Sequence, residues 1–227
     1  MPVSDYHQIS DVLHVVQQVN PGTVLDIGVG FGKWGMLCRE VLDVYSERLQ
    51  PASWKVRIDG IEIHEPYHNP LWDAVYSHVY IGDVAAMLDS LGDYDLALCC
   101  DVIEHLDKDA GLVLLRRLLQ RASMVLLTSP RGFAPQGATY GNEHQRHLSG
   151  WTEADFAGIP HLYKDIGFTF MAVLSADGAR LQSIDINDPL RVLGARRAVI
   201  GTAKLVLSRL RHRLTKAGFV DATAESH

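Results

Sequence analysis

The sequence predicts an α/β protein with an open, mostly parallel seven-stranded sheet, helices on both of its faces and an antiparallel hairpin at its C-terminal end. Up to about residue 150, short apolar runs alternate with helical segments, which is typical of a parallel sheet covered on both faces. Beyond that point, two strand-like runs over 168–174 and 179–186 flank a turn signal at 175–178. The length of 227 residues favours one domain.

The predicted elements follow one another in short steps. A helix is predicted over 5–19, where Ile9, Val12 and Val16 recur at helical spacing before the stop signal at 20–22. The remaining elements are a buried strand over 23–27, a helix over 33–45, strands over 56–63, 79–81 and 95–100, a helix over 109–121 and a strand over 124–128.

The composition is that of a globular protein. Hydrophobic residues make up 47% of the chain and charged residues 21%, which excludes disordered, collagen-like and disulfide-scaffold proteins. No apolar run is long enough to span a membrane, and the start of the chain lacks the basic and apolar regions of a secretory signal. Cys38, Cys99 and Cys100 show no Cys-x-x-Cys spacing, so we expect reduced thiols in a cytoplasmic protein.

The charge is unevenly distributed along the chain. The net charge is −6, but residues 189–217 hold eight basic and no acidic side chains, which leaves 27 acidic against 13 basic side chains elsewhere. We therefore predict a main domain over 1–187 with its core at about 20–187, a basic amphipathic helix over 188–217 and a flexible tail over 218–227. The basic helix suits peripheral contact with an anionic membrane, a homodimer contact, or a terminal helix with a solvated charged face. The acidic main domain argues against nucleic acid as a partner.

A glycine-rich loop after the first predicted strand is the strongest functional signal. Gly28, Gly30 and Gly32 come directly before the helix over 33–45. Glycine is needed where the backbone turns tightly against a ligand, and the free N–H groups at a helix N-terminus favour anions. A tight strand-to-helix turn without a ligand is the alternative interpretation.

Acidic residues stand at the ends of the next three strands. Glu62 closes the second strand, where a carboxylate can accept hydrogen bonds from ribose hydroxyls. Asp83 and Asp101 follow the third and fourth strands. Since ligands of open α/β sheets bind outside the carboxyl ends of the strands, we expect these acids to line one crevice with the glycine loop. For Asp83, a cap on the helix that begins near Val84 is the alternative.

Five segments carry these features in order: VLDIGVGFGKWG, IDGIEIHEP, YIGDVAAML, YDLALCCDVIEHL and VLLTSP. Together they resemble the successive motifs of class I S-adenosylmethionine-dependent methyltransferases, among them the ubiquinone-pathway and small-molecule O-methyltransferase group, over roughly residues 20–175. The cofactor-binding residues that this resemblance implies are Asp26, Gly28, Gly30 and Gly32 around the methionine end, Glu62 at the ribose, Asp83 and Val84 at the adenine, and Asp101 near the methionine moiety.

One spacing departs from the dinucleotide-binding pattern. Glu62 lies 34 residues after Gly28, whereas about 20 are usual in a dinucleotide fold, so we expect an extra loop near 46–54. A nicotinamide-dependent oxidoreductase is the rival from another enzyme class. It shares the glycine loop and the ribose acid, but it gives no reason for the acids at 83 and 101–104, and we find no Tyr-x-x-x-Lys pair.

Acids and histidines near the fourth and fifth strands are the candidate catalytic residues. Asp101, Glu104 and His105 stand at i, i+3 and i+4, on one side of a turn. His144 and His147 follow in a loop after the fifth strand. A hydroxyl acceptor needs a base or a metal to take its proton. Without a metal, His144 or His147 is the predicted general base, with His105 as a further candidate; solvated loop histidines are the alternative.

A divalent ion is the second possibility for this cluster. Asp101, Glu104, His105 and His147 resemble the ligand set of metal-dependent family members, in which an acid-x-x-Glu-His turn binds the metal, and they suit Mg²⁺ or Mn²⁺. Asp101 departs from the usual glutamate and has a shorter side chain. In metal-free members, the Glu-His pair caps the helix and shapes the pocket wall.

The segment 129–141 is rich in glycine and contains Phe133 and Tyr140, which fits either a substrate lid or a plain surface loop. The whole pattern predicts a cytoplasmic S-adenosylmethionine-dependent methyltransferase that acts on a hydroxyl of a small molecule, such as a sugar, a quinone or a natural-product intermediate. O-methylation is preferred because no Asn/Asp-Pro-Pro-Tyr-like motif follows the fourth strand. RNA ribose methylation and small-molecule N-methylation are alternatives, and a non-catalytic S-adenosylmethionine-binding partner protein is the alternative from another class.

Overall fold

The computed structural model describes residues 4–187, which contain one mixed sheet. Its strands are β1 (Thr23–Ile27), β2 (Arg57–Glu62), β3 (His78–Ile81), β4 (Tyr94–Cys100), β5 (Ala122–Pro130), β6 (His161–Ile166) and β7 (Thr169–Leu174). They lie in the order β3-β2-β1-β4-β5-β7-β6, and β7 runs antiparallel to both of its neighbours while all other pairs are parallel. The predicted open, mostly parallel seven-stranded sheet is confirmed.

Helices cover both faces of this sheet. The α-helices of residues 4–187 are α1 (Ile9–Val19), α2 (Lys33–Leu42), α3 (Pro70–Val75), α4 (Val84–Met87) and α5 (Lys108–Arg121). Successive side chains of β4 alternate between two buried clusters, with Leu96 and Leu98 facing α1 to α3, and Ala97 and Cys99 facing α5. Because both faces are buried, the central strands are apolar throughout, which is why their sequence runs were recognisable.

The C-terminal hairpin exists but is formed by other residues than predicted. β6 and β7 are joined at 167–168, where Gly167 has a φ of 62°, and not at the predicted turn 175–178. The predicted strand over 179–186 is instead a 3₁₀ helix over Gly178–Ser183, and the Asp177 side chain accepts a hydrogen bond from Ala179 N (3.0 Å) at its start. The prediction failed because an Asp before a Gly serves a helix cap as well as a turn. β6 was missed because this edge strand is only half-buried and carries Lys164 and Asp165.

The expected extra loop lies between α2 and β2 and is held by a buried ion pair. Asp43 is fully buried, and its carboxylate accepts hydrogen bonds from Arg39, from Arg48 Nε (2.6 Å) and from Lys55 N (2.9 Å). The Arg39 guanidinium also lies 4.0 Å from the centre of the Trp54 ring. The added residues are therefore tied to α2 and leave β2 in its position beside β1.

Two predicted segments, the basic helix over 188–217 and the tail over 218–227, lie outside the described residues. Between residues 4 and 187, no helix combines the length and the apolar character that a bilayer crossing requires.

Candidate active site

A cavity of about 850 Å³ opens at the carboxyl ends of the parallel strands. The glycine loop after β1 lies on one side of it, together with the residues that follow β2 and β3. The other side is formed by the turn after β4 and by residues 131–150, which we call the histidine loop. The strand ends thus gather most of the predicted site residues around one space, as the sequence indicated.

The glycine loop begins at Gly28, which requires the absence of a side chain. Its φ of 74° lies in the left-handed region, and a Cβ atom there would lie 2.6 Å from Val102 Cγ2. Gly28 N and Val29 N both donate to the Ile61 carbonyl at the end of β2. The loop is thereby held close to β2, with Gly28 and Gly30 lining the cavity.

Glu62 joins the glycine loop to the chain beyond β2. Its side chain is 5% exposed and lines the cavity. One carboxylate oxygen accepts from Gly30 N (2.9 Å), and the other accepts from His64 N (2.9 Å). Each oxygen has a second lone pair, so the carboxylate can also receive two hydroxyl groups of a ligand.

Asp83 and Val84 both line the cavity at the end of β3. Asp83 caps α4, because its carboxylate accepts a hydrogen bond from Ala85 N (2.7 Å). The capping role weighed for Asp83 is therefore present, and its exposed carboxylate leaves an oxygen directed to solvent or ligand.

Asp26 and Gly32 lie behind the cavity lining. Asp26 is fully buried, and one of its carboxylate oxygens accepts the Tyr76 hydroxyl (2.5 Å), which in turn accepts from Gly35 N (3.1 Å). The other Asp26 oxygen has no partner among the described residues. Burial raises the pKa of Asp26 to about 7, the Tyr76 hydroxyl opposes this, and the charge of Glu62 adds to it. Asp26 is thus connected through Tyr76 to the first turn of α2.

Asp101 is held by the N-terminal segment. Its backbone has a φ of 54°, and its carboxylate accepts from Gln8 Nε2 (2.7 Å) and from Asp5 N (3.1 Å). Burial raises its pKa, and these two hydrogen bonds oppose the rise. Residues 4–8 are fixed further by Lys33, whose ammonium group donates to the Ser4 carbonyl. Asp101 therefore lies beside the cavity in contact with these residues.

Glu104, His105 and His147 form a cluster in which one ligand atom from each lies within 4.8 Å of the others. Glu104 is buried and accepts a hydrogen bond from Ser129 Oγ (3.0 Å). Its pKa is raised well above the ordinary value by burial and by the charge of Asp101. Asp101, the fourth predicted ligand, does not lie in this cluster, and its short side chain accepts hydrogen bonds from Gln8 and Asp5 instead.

The hydrogen bonds of two histidines define which ring nitrogen is free. His105 Nδ1 lies 3.2 Å from the Arg146 carbonyl oxygen, and His147 Nδ1 lies 2.6 Å from the Ala134 carbonyl oxygen. Because a carbonyl oxygen only accepts, each Nδ1 carries a hydrogen, and each neutral ring keeps a lone pair on Nε2. Burial lowers the pKa of His105 and so favours the neutral form. His144 also lines the cavity but is exposed.

The ends of the histidine loop are hydrogen-bonded to each other, and several of its residues line the cavity. Gly132 N donates to the Trp151 carbonyl (2.8 Å), and His147 N donates to the Gln136 carbonyl (3.0 Å). Phe133 and Tyr140, the predicted lid aromatics, are 58% and 69% exposed. At the tip, Asn142 Nδ2 donates to the hydroxyl of Tyr67 (3.0 Å), which lies in the segment that follows β2.

Sequence reasoning missed several residues that shape this site. Tyr67, Tyr76 and Gln8 act through contacts with residues 41 to 93 positions away, and no local pattern announces such contacts. Asn142 had a signal, since an asparagine before a short helical turn is a common cap. Its side chain accepts from His144 N (2.9 Å).

Comparisons with known proteins agree with this architecture. No protein-family model and no curated protein matches the chain. Among solved structures, the methyltransferase domain of bacterial CtHen1-C is 21% identical with a TM-score of 0.50, and the match covers 74% of this chain and 96% of that chain. The N-terminal domain of EvdMO1 with SAH bound is 16% identical with a TM-score of 0.53, covering 77% and 82%. TehB from Haemophilus influenzae is 12% identical with a TM-score of 0.54, covering 74% and 62%.

These similarities fit the strand order given above, in which an antiparallel β7 lies between β5 and β6. This order also differs from the order 3-2-1-4-5-6 that is usual for the dinucleotide-binding sheet of the oxidoreductase rival. Residues 4–187 therefore have the class I methyltransferase fold.

Proposed function

We propose that the chain is an S-adenosylmethionine-dependent methyltransferase that methylates a hydroxyl group of a small molecule. One observation carries this proposal: the same cavity has a glycine loop with ribose- and adenine-type acids on one side, and two histidines with free Nε2 atoms on the other. The two sets suit the two substrates of a group transfer.

The cofactor side suits an adenosine. Glu62 accepts the two ribose hydroxyls, Asp83 accepts the adenine amino group, and Val84 packs beside the ring, while Gly28 and Gly30 leave space for the methionine end. The cavity of about 850 Å³ has room for a cofactor and an acceptor together. Bound S-adenosylmethionine supplies an activated methyl group on a sulfonium, and its transfer leaves S-adenosylhomocysteine.

The histidine side supplies alignment and a base. With the cofactor held by the glycine loop and Glu62, these residues would align an acceptor oxygen with the methyl group, and the electron pair of the carbon–sulfur bond would pass to sulfur on transfer. His147 Nε2 takes the hydroxyl proton, since the Ala134 carbonyl orients the ring, and His105 is the second candidate for this role. His144 is exposed at the rim and contacts the acceptor from outside.

A divalent ion at Glu104, His105 and His147 is a second mechanism that the proximity of these ligand atoms favours. One carboxylate and two imidazoles suit Mn²⁺ or another first-row transition ion better than Mg²⁺, which prefers oxygen ligands, and the remaining positions would be free for acceptor oxygens. Exhaustive chelation decides between the two. Activity that survives it and tolerates Glu104→Gln, with exposed Glu153→Gln as the control, excludes an essential ion.

The charges around the cavity support a small acceptor rather than RNA. Among the described residues that line the cavity, Lys33 is the one Lys or Arg, and its ammonium group is engaged by the Ser4 carbonyl. RNA recognition relies on several cationic contacts with phosphates. The apolar and aromatic rim, which includes Phe31, Met36 and Phe168, suits an uncharged molecule better.

Calorimetry with S-adenosylhomocysteine tests the cofactor part. We expect wild-type binding that Glu62→Ala weakens at least about tenfold, because two hydrogen bonds to a charged group are lost. Glu65→Ala, an exposed change three residues away, is the matched control and should bind as wild type. Absence of binding by the wild type refutes the proposal.

An acceptor screen that measures S-adenosylhomocysteine release tests the reaction. Hydroxyl-bearing small molecules should support turnover, and His147→Ala should lower kcat about a hundredfold, as expected for loss of a general base. Exposed His78→Ala is the control. Cofactor binding without turnover on any acceptor would favour the non-catalytic alternative.

A further inference from the structure

We propose that Tyr67 and Asn142 form a clasp that couples cofactor binding to the position of the histidine loop. They are positioning residues for His144 and His147, and they act through backbone contacts. This inference rests on the proposed function, because it concerns how the same cavity is assembled.

The clasp joins the histidine loop to the chain that follows β2. Asn142 Nδ2 donates to the Tyr67 hydroxyl at 3.0 Å, although the two residues are 75 positions apart. Asn142 is 2% exposed and Tyr67 is 8% exposed, so water does not compete for this bond. Within residues 4–187, it is the one side-chain hydrogen bond from the histidine loop to the wall that follows β2.

The loop is anchored elsewhere only on the opposite side. Leu148 N and Ser149 N donate to the Glu104 carbonyl, and Gly132 N donates to the Trp151 carbonyl. The tip itself is exposed at Tyr140 and turns through Gly141, whose φ is 71°. Among the described residues, the clasp is the one hydrogen bond from residues 139–144 to the chain outside the loop. Without it, the tip would be held only through the two fixed ends of the loop.

A short series of contacts connects the clasp to the ribose-type acid. Glu62 accepts from His64 N (2.9 Å), and Tyr67 N donates to the His64 carbonyl (3.0 Å). Beyond the clasp, Asn142 Oδ1 accepts from His144 N (2.9 Å). A ligand that engages Glu62 therefore stiffens the turn over 64–67 and, through the Tyr67 hydroxyl, the segment that carries the histidines.

The consequence is that the cofactor binds before the acceptor. The histidines take their positions over the acceptor space most firmly when the cofactor occupies Glu62, so the acceptor meets a formed site only after the cofactor has bound. The segment 129–141, which the sequence left open between lid and surface loop, acts as part of a lid.

Hydrogen exchange of residues 136–147, with and without S-adenosylhomocysteine, tests the coupling without any acceptor. In the wild type, the ligand should slow exchange of these amides about tenfold. Tyr67→Phe removes only the phenolic oxygen, and it should abolish most of this ligand-dependent protection while the affinity for the ligand falls less than about threefold. Tyr45→Phe, at an exposed tyrosine, is the matched control and should keep the full protection.

A rescue variant separates the clasp from a general loss of structure. In Asn142→Asp, the carboxylate still accepts from His144 N and can accept a hydrogen from the Tyr67 hydroxyl. We expect this variant to retain the protection and its combination with Tyr67→Phe to lose it. With an acceptor in hand, Tyr67→Phe should lower kcat about tenfold with little change in KM for the cofactor.

The outcomes are distinct. If the wild type does not bind S-adenosylhomocysteine, the proposed function fails and the coupling fails with it. If the ligand binds but leaves exchange of 136–147 unchanged, or protects Tyr67→Phe as well as the wild type, the clasp is refuted while the proposed function stands.

Discussion

The buried carboxyl of Asp26 makes stability depend on pH in a direction opposite to that of most acidic residues. Its folded-state pKa is raised from 3.8 to about 7, so the folded protein binds a proton more tightly than the unfolded chain does. The free energy of unfolding therefore falls as the pH rises from about 4 to about 7, and the total loss is about 4 kcal/mol. Below the unfolded-state pKa, this cost is absent.

Asp26→Asn removes the negative charge and keeps the shape of the side chain. Its amide oxygen can still accept a hydrogen bond from the Tyr76 hydroxyl, so this contact survives. From about pH 5 to pH 8, the free energy of unfolding of the variant minus that of the wild type should rise by about 2 to 3 kcal/mol. The reason is that only the wild type has a buried carboxyl that loses its proton in this range. Urea unfolding followed by tryptophan fluorescence at several pH values gives this difference directly.

The control is Glu40→Gln on α2, because Glu40 is exposed and has no ion-pair or hydrogen-bond partner among the described residues. This variant should give a stability difference that does not vary with pH. If the curves of wild type and Asp26→Asn run parallel over the whole range, the carboxyl is not titrating in the buried position. The assignment of its environment would then be wrong.

Three further substitutions are checked by the same urea measurement. Gly111→Ala should lower the free energy of unfolding by about 2 kcal/mol although alanine favours helices, because the new Cβ would lie 2.5 Å from Trp151 Cζ2; a stabilised variant contradicts this. Asp43→Asn should cost about 3 kcal/mol or more, since it leaves the buried Arg39 without its partner; a loss below about 1 kcal/mol contradicts it. His14→Leu should raise the free energy of unfolding by about 1 kcal/mol, because both ring nitrogens are buried without a partner among the described residues. A marked fall in the free energy of unfolding contradicts this.

Local chemistry explains what the sequence predicted well. The strand β1, the glycines after it and Glu62 at the end of β2 are recognisable because each depends on its own neighbours in the chain. The apolar central strands were equally clear, since burial on both faces removes polar residues.

What could not be predicted depends on distant contacts or on ambiguous signals. Asp101 has the spacing of a metal ligand, but Gln8, 93 positions away, binds its carboxylate. Asp26 was predicted to bind the cofactor because of its place before the glycine loop. In the structure, its carboxylate accepts a hydrogen bond from Tyr76 and does not line the cavity. The edge strand β6 gave no clear signal because none of its residues is fully buried and Lys164 and Asp165 interrupt its apolar residues.

Because the two ends of the histidine loop are bonded to each other, the residues between them can be replaced without disturbing the rest of the fold. Gly132 and Trp151 are hydrogen-bonded to each other, and Trp151 is fully buried beside Phe156, so both ends are fixed by the core whatever lies between them. The entropy of closing such a loop grows only slowly with its length. Segments of different length or composition can therefore be inserted between the two ends with little effect on the sheet or on the cofactor side. A scaffold of this kind can acquire new acceptors by exchanging about twenty residues and keeping the rest.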